Sequence, residues 1–384
     1  MTYSVALLIE TSNEYARGLL RGILRYQQEN ERWNIDLPEQ HRGADPPHWL
    51  RRYQGDGIIA RIETNMIARA VRATKLPTVD VSAARKLPTV PWVETDDNAI
   101  ANIALDHYYS KGFAHVAFCG ETAFNWAQWR RDAFVEAAHQ HGIEVHVFDV
   151  GDESTGTTWP RERRRLLRWL NKLPEPCGLW VAYDSLARRV LDLCRQLSRP
   201  VPDSIAVMGV DDDPLLCQLA TPSLSSVIPD AEGAGFTAAR QLDRMMSGHS
   251  IEASQILLPP LGIATRRSTD TLAVDDPEIA HAARYILAHA CDGIQVADVV
   301  RQTKLTRRVF ETRFQTLLNK TPHALIIQTR IARAESLLRD THLTLDRIAN
   351  RCGMEYAEYL NVLFRKTHDM TPGDFGQKHP LTRP

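Results

Sequence analysis

Two sets of residues in this chain have the types and spacing to do chemistry, and both chemistries are of recognition. The first set lies near the C-terminus and occurs twice. Phe314 precedes Thr321-Pro322 by seven residues, Phe364 precedes Thr371-Pro372 by seven, and Val299, Val300 and Leu305 are echoed by Ile348, Ala349 and Met354. A repeat of this size means two copies of one supersecondary unit, here helix, tight turn, helix. In the first copy an inner face of Val309, Phe310 and Phe314 leaves Arg307, Arg308, Glu311 and Thr312 outside. In the second, an inner face of Tyr359, Leu360, Leu363 and Phe364 leaves Glu355, Tyr356, Ala357, Glu358, Asn361 and Arg365 outside. On a helix laid in the major groove, such side chains read base edges: Arg on guanine, Asn on adenine, Glu on cytosine. The second set is spread over four loops: Glu10-Thr11-Ser12, then Phe124, Trp126, Trp129 and Arg130, then Tyr183-Asp184, then Asp211-Asp212-Asp213. Carboxylates and arginine can bond neighbouring hydroxyls while indoles stack on apolar ring faces, which is an inventory for holding a sugar. On spacing alone these are equally the solvated loops of any sheet.

The elements that must position these groups follow from the apolar pattern. Short apolar runs at 5–9, 57–60, 78–81, 115–119, 145–149, 178–182 and 205–210 read as buried strands. Helical patterns at 13–28, 98–111, 126–141, 161–170 and 185–197 alternate with them. That alternation predicts parallel sheets in a doubly wound α/β fold, and the number of elements predicts two of them. The runs at 256–258 and 225–228 are expected to carry the chain back between the two lobes. Ligands in such folds bind at the carboxyl ends of the strands, where all four loops lie. The tail is helical by pattern: 277–290, 296–302, 306–317 with Thr306 as N-cap, a long helix 322–340, 345–352, and 355–366 with Gly353 at the preceding turn. Two reading helices about one DNA turn apart, roughly 34 Å, would enter successive major grooves.

Charge divides the same way. The net charge is −1, yet from Pro277 onward there are 16 Lys and Arg against 11 Asp and Glu, with 30 against 36 before it. A basic tail on an acidic body fits a tail that meets phosphates. A solvated helical bundle is the alternative for the tail; the repeat, the turn glycine and the local charge together stand against it. The six cysteines are scattered without a C-x-x-C pair, which reads as free thiols in a reducing compartment. The first 18 residues lack a basic segment ahead of an apolar run, and no stretch approaches the roughly 20 apolar residues of a membrane span, so a cytoplasmic protein is expected.

Particular residues carry a resemblance. Gly209-Val210-Asp211-Asp212, Thr221-Pro222-Ser223-Leu224-Ser225-Ser226-Val227, Arg267-Ser268-Thr269, and Asp97-Asn98 with His107 make the body resemble the effector domain of the lactose/galactose repressor family. The resemblance implies two hinged α/β lobes of the periplasmic-binding-protein type closing on a small molecule, usually a sugar or a purine. It implies that Arg130 and Asp211 touch that ligand, with Asp97 and Asp184 in matching positions, although Tyr183 stands where the family often has Asn. In the tail, Arg330-Ile331-Ala332-Arg333-Ala334, Leu337-Leu338, Ile348-Ala349, Cys352-Gly353, Phe364-Arg365-Lys366 and Thr371-Pro372 resemble the arabinose-regulator (AraC-type) DNA-binding domain, with two helix-turn-helix units joined by a long helix. Met354 and Leu360 replace the usual Phe, Val362 a frequent Arg, and Asp369 the usual Gly. The two halves together, with the runs at 55–60 and 207–213, resemble the family of bacterial xylose operon activators over the whole chain.

What the resemblance implies can be stated as a set of expectations. The effector domain is 1–270, the linker 271–277 and the DNA-binding domain 278–384, with helix-turn-helix units at about 294–318 and 345–367. The effector site is Thr11, Ser12, Asp97, Phe124, Trp126, Arg130, Asp184 and Asp211, and the DNA face is the outward set given above. The partners are D-xylose or a related monosaccharide, a double-stranded operator with paired half-sites, RNA polymerase and a second copy of the chain. No cofactor is expected. A transport or chemoreception protein would need a secretory signal and no basic tail, and an enzyme would need a metal shell or an acid/base pair; neither pattern is found. His139 and His141 flank the end of a helix, Asp211-Asp212-Asp213 lacks a second cluster to complete a cation shell, and Gly233-x-Gly235 falls inside a helix. The five arginines between 161 and 168 read as a solvated face, with an interdomain or DNA contact as the alternative.

Overall fold

A run of apolar residues becomes a parallel strand when helices can cover it on both sides, and the computed structural model shows this happening twice. It describes residues 2–30, 33–41, 44–121, 123–151, 158–249, 254–271, 276–318, 320–341 and 343–378. The chain divides into two compact units, Met1–Ser110 with Ala114–Thr269, and Asp270–Pro384 with Lys111–Phe113. The first half of the body runs β1 (Tyr3–Leu8), α1 (Glu14–Asn30), β2 (Trp33–Asp36), β3 (Gly57–Ala60), α2 (Asn65–Thr74), β4 (Thr78–Asp80) and β5 (Trp92–Thr95). The second runs α3 (Asp97–Ser110), β6 (His115–Gly120), α4 (Asn125–Gln140), β7 (Val145–Asp149), α5 (Trp159–Leu170), β8 (Cys177–Val181), α6 (Asp184–Gln196), β9 (Ile205–Val210), α7 (Pro214–Leu219) and β10 (Ser225–Ile228). The chain then returns through α8 (Ala231–Met246) and β11 (Gln255–Leu258) to the first lobe and through β12 (Gly262–Ala264) to the second.

The two sheets have one topology. Their strand orders are β2-β1-β3-β4-β5-β11 and β7-β6-β8-β9-β10-β12. All pairings are parallel except that of β10 with β12. Each sheet reverses its order beside its first strand, between β1 and β3 and between β6 and β8, so each has its crevice at those carboxyl ends. Both faces are filled. Leu19, Ile23, Ala234, Ala238 and Leu242 of α1 and α8 cover one face of the first sheet. In the second lobe Phe118, Phe134 and Trp180 interlock at 5.0–6.5 Å between centroids, all fully buried. Each ring of this size contributes about 1.5–3 kcal/mol by leaving water.

The expected two-lobed α/β fold with an all-helical tail is what the structure holds, with differences in detail. The strands at 33–36, 92–95 and 262–264 were not expected. β5 carries Glu94 and β2 carries Asn34 and Asp36, which break the apolar run that marks a buried strand. The run at 225–228 is an inner strand of the second sheet rather than a crossing segment. The chain crosses between lobes three times: after β5, after β10 and after β11.

The second unit contains α9 (Pro277–His289), α10 (Val296–Arg301), α11 (Arg307–Leu318), α12 (Pro322–Asp340), α13 (Leu345–Arg351), α14 (Ala357–His368) and α15 (Pro372–Lys378). Most of the expected linker, 272–275, lies outside the described residues. The long α12 serves two cores. Leu325 and Ile326 join Phe310, Phe314 and Ile286, whereas Ile331, Ala334 and Leu337 join Ile348, Leu360 and Phe364. The repeated Thr-Pro is a helix start in both copies. Thr321 Oγ1 accepts from Ala324 N at 3.1 Å and Thr371 Oγ1 from Asp374 N at 3.1 Å, each with proline as the first helical residue. Asp369, standing where glycine is usual, has φ +54°, a left-handed conformation that Asp tolerates at some cost.

Candidate functional site

The carboxyl ends of both sheets enclose a cavity of about 190 Å³ between the lobes. From the first lobe come Ser12 and Asn13 after β1, Glu14 and Tyr15 opening α1, Arg61 after β3, and Glu94 on β5. From the second come Asp97, Trp126, Arg130, Tyr183, Asp184, Ser185, Asp211, Asp213 and Leu216. Of the effector-site residues expected from sequence, Ser12, Asp97, Trp126, Arg130, Asp184 and Asp211 meet here. Thr11 and Phe124 do not line the cavity. The Thr11 carbonyl accepts from Arg17 Nη1 at 3.2 Å, and the Phe124 ring stacks on Trp126 at 5.6 Å and 14°.

Arg130 is the organising cation. It is 5% exposed, donates from Nε to Asp97 Oδ1 at 2.7 Å and from Nη1 to the Ala182 carbonyl at 2.6 Å, and lies 5.0 Å over the Trp126 ring. Arg61 plays the same part opposite, paired with Glu10 at 2.8 Å and Glu63 at 2.7 Å. Around them burial pushes the Glu94 carboxyl well above its ordinary range, with Asp97 adding to the rise. Burial also raises Asp97, opposed by Arg130. The Asp184 carboxyl is raised well above its range by burial and then by Asp211, while Ser226 Oγ at 2.7 Å and Asp213 N at 2.8 Å donate to it. Gly209 makes room for that carboxylate, because a Cβ there would stand 2.1 Å from Asp184 Oδ1. Beyond it Asp211 and Asp212 have φ of +106° and +51°. Such backbone costs about 1–3 kcal/mol and persists where neighbours fix it. Here the Ser226 hydroxyl accepts from Asp212 N at 3.0 Å and Arg266 holds the Asp212 carboxylate at 2.7 Å.

The lobes also touch at the rim. Arg17 meets Asp213 at 3.1 Å, Asn125 Nδ2 donates to the Ala83 carbonyl at 3.1 Å, and Trp92 and Trp129 lie 5.9 Å apart. Trp129 therefore belongs to this rim. Sequence reading missed Asn13, Glu14, Tyr15, Arg61, Glu94, Ser185 and Leu216 as lining residues. Arg61 directly follows β3, and Glu94 interrupts the apolar pattern of β5.

In the tail the two reading faces differ from expectation at several positions. Phe310 and Phe314 are fully buried, but Val309 is 41% exposed and lies outside the core. Arg308 and Thr312 are exposed, while Arg307 and Glu311 pair with each other at 2.9 Å. Gln315 is exposed one turn beyond Thr312 and was not singled out. In the second unit α14 begins at Ala357, so Glu355 and Tyr356 lie in the turn ahead of it rather than on the helix. Tyr359 is 42% exposed, against the inner position expected, and Ala357 packs partly on the core. Asn361 is half-buried, and Glu358 and Arg365 are exposed. The later start of α14 takes Glu355 and Tyr356 off the helix, while Leu360 and Phe364 are buried as expected.

Comparison with known proteins divides the chain in the same order. Residues 4–98 match a XylR N-terminal domain, 105–269 a periplasmic binding protein-like domain and 299–378 a helix-turn-helix domain. The xylose operon regulatory protein of Haemophilus influenzae is 31% identical over 384 residues, covering 97% of this chain and 98% of that protein. That of Escherichia coli K12 is 31% identical over 381 residues, covering 97% and 96%. The solved structure of a xylose-binding transcription activator, XylR, is 30% identical with a TM-score of 0.66 and covers 99% of both chains. A periplasmic-binding-protein/LacI-type regulator from Alkaliphilus metalliredigens, complexed with D-xylulofuranose, is 17% identical with a TM-score of 0.56. It covers 70% of this chain and 99% of its own, a likeness of fold.

Proposed function

This chain belongs to the family of xylose operon regulatory proteins, which are DNA-binding transcription regulators and not enzymes, and from that premise we propose that it is a xylose-induced activator of xylose-utilisation genes. The cavity between the lobes carries the proposal. Six acidic residues line it against two arginines, so it disfavours phosphorylated ligands and favours an uncharged polyol. Its 190 Å³ falls below the roughly 300–1,000 Å³ of sites for drug-sized molecules, which suits a monosaccharide. Xylose has no exocyclic hydroxymethyl group to accommodate beside Trp126. Ser12, Asp97, Arg130, Asp184 and Asp211 would bond its hydroxyls, Trp126 would face its ring, and Thr11 and Phe124 would hold the loop and the indole in place. Sugar bound between the lobes shifts their equilibrium toward closure by its differential affinity for that state.

The output is DNA. Under this reading an effector domain at 1–270 is joined through 271–277 to a DNA-binding domain at 278–384, with reading units at about 294–318 and 345–367. Arg307, Arg308, Glu311 and Thr312 of the first unit, and Glu355, Tyr356, Ala357, Glu358, Asn361 and Arg365 of the second, face the operator. A cytoplasmic homodimer would set two tails on paired half-sites beside RNA polymerase, since a twofold protein calls for repeated operator halves. Among the described residues no helix is long and apolar enough to cross a membrane.

Two measurements test the reading. Calorimetric titration with xylose, arabinose, ribose and glucose is expected to show saturable binding for xylose; a flat xylose trace beside a curve for another sugar overturns the effector. Arg307→Ala with Arg308→Ala should weaken promoter binding by about 1–3 kcal/mol per lost base contact and less if a side chain meets only phosphate. Affinity unchanged at every salt concentration would remove the first unit from the DNA face.

A further inference from the structure

The most strongly charged helix of the body plays no part in the sugar cavity. α5 packs its apolar side, Leu166 and Leu170 with Leu167 and Trp169, on the core of the second lobe. Its other side carries Arg161, Arg164, Arg165 and Arg168, all exposed, and Lys172 follows in the turn. Arg161, Arg164, Arg168 and Lys172 are spaced three, four and four residues apart, the spacing of one helix face. At about 1.5 Å per residue they extend over roughly 16 Å, a length of duplex that presents about nine phosphate charges.

Among the described residues, the acidic groups that neutralise arginines on other helices are missing from this face. On α1, Arg17 and Arg21 pair with Glu14 at 2.9 and 2.5 Å, and Arg25 with Glu232 at 3.0 Å. On α6, Arg188 and Arg195 share Asp192 at 3.6 and 2.9 Å. The one carboxylate within α5, Glu162, is 2% exposed and bound to Arg165 at 2.7 Å. Arg161, Arg164 and Arg168 have no carboxylate partner among the described residues. The stripe therefore stands on a body that is otherwise net acidic, 30 basic residues against 36 acidic before Pro277. Among the described residues no large exposed apolar side chain lies on α5. A protein partner would want an apolar centre to the patch, whereas a row of guanidinium groups suits the bidentate geometry of phosphate.

We propose that the outer face of α5 is a second DNA contact, binding backbone phosphates of duplex that flanks the sequence read by the helix-turn-helix units. It rests on the reading of the chain as a DNA-binding regulator, and it adds a sequence-independent grip by the sensor domain itself. Such a contact contributes affinity and salt dependence but no base specificity.

The test uses the full-length protein with sugar bound and a triple variant, Arg161→Gln, Arg164→Gln and Arg168→Gln, which keeps the helix-forming stems. Binding is measured against salt on a long promoter fragment and on the same fragment trimmed to the half-sites. On the long fragment the salt slope should fall by about 2.7, at about 0.9 per phosphate contact, so that the wild type's affinity advantage shrinks roughly fortyfold between about 0.05 and 0.2 M salt. On the trimmed fragment slope and affinity should both match wild type, and the triple Arg→Lys variant should recover the slope. An unchanged slope on the long fragment overturns the proposal. So does a variant that binds both fragments normally yet loses transcriptional activation, which would make the face a dock for an acidic protein. Unaltered sugar calorimetry shows that the lobe is folded. A wild-type protein that binds neither fragment would sink the regulator reading itself, a separate failure.

Discussion

Arg130→Met should abolish the sugar response, weakening sugar binding by at least about a hundredfold, or about 2.7 kcal/mol at roughly 1.4 kcal/mol per factor of ten. It should also destabilise the body by about 3–5 kcal/mol, the usual cost of removing one partner of a buried ion pair. The reason lies in what surrounds the guanidinium. Asp97 is 5% exposed and Glu94 5% exposed, and Arg130 is the cation that offsets burial at both. Methionine keeps the volume and the contact with Trp126 but removes the charge and the bonds to Asp97 and the Ala182 carbonyl. The sign of the pH dependence follows. These carboxyls already have folded-state pKa values raised by burial, so the folded state holds protons that the unfolded chain has lost. Stability contributed by that site therefore declines as pH rises from the ordinary carboxylate range toward the raised values. Removing Arg130 raises Asp97 and Glu94 further and widens that window. The deficit of the variant should be largest at neutral pH and shrink toward acid, where both states are protonated. Thermal melts of both proteins from the ordinary carboxylate range, about pH 4, up to neutral pH decide it. A deficit independent of pH would mean that packing, not charge, was lost. Arg130→Lys should recover part of the stability and little of the binding, because a point charge cannot bond Asp97 and Ala182 in one fork.

Much of this arrangement was legible before the structure, and the parts that were not have common causes. The strands at 57–60 and 205–210 were readable to the residue because they are short, wholly apolar and fully buried. β5 was not, because Glu94 interrupts it, and that interruption is the cavity speaking through the sequence: a carboxylate tolerated in a buried strand has a ligand or a cation to face. The strand-end rule located Ser12, Asp184 and Asp211, whose loops follow strands that could be seen. It could not locate Glu14, Tyr15 or Leu216, which reach the cavity from the first turns of helices whose orientation depends on the lobes being brought together. Phe124 and Trp126 show the limit of residue type. Residue type alone does not separate them, yet Trp126 lines the cavity and Phe124 stacks on it instead. In the tail the repeat gave the order of six helices but neither α15 nor the start of α14. Gly353 marked the turn, but the turn runs on through Glu355 and Tyr356, and of the expected inner face Leu360 and Phe364 are buried while Tyr359 is 42% exposed.

Gly353→Ala is the second large effect, and it should separate the two halves of the molecule: DNA binding lost, sugar binding intact. Gly353 has φ +69°, which costs an L residue roughly 1–2 kcal/mol. It also has no room. A Cβ would stand 2.7 Å from the Cys291 carbonyl oxygen and 2.8 Å from the Cys291 carbonyl carbon and Gly293 N. All three are backbone atoms, and their turn is itself pinned, since Arg330 donates to the Ala290 carbonyl at 2.8 Å and the Ile294 carbonyl at 2.9 Å. Neither side can yield cheaply, so α13 and α14 must move away from the turn that leads into α10. The expected destabilisation of the tail is about 3 kcal/mol or more, strain and overpacking combined. Gly142→Ala is the control. Gly142 has φ +70° at the end of α4, but nothing lies within 4 Å of its Cβ position. It should cost about 1 kcal/mol of strain alone and leave promoter binding unchanged. If the two variants prove equally mild in calorimetric unfolding and both bind promoter DNA, the close approach at Gly353 does not set the geometry of the second reading unit. Asp369→Gly reads the same physics with opposite sign: at φ +54° the native residue already carries the left-handed cost, so glycine there should stabilise the tail by up to about 1 kcal/mol.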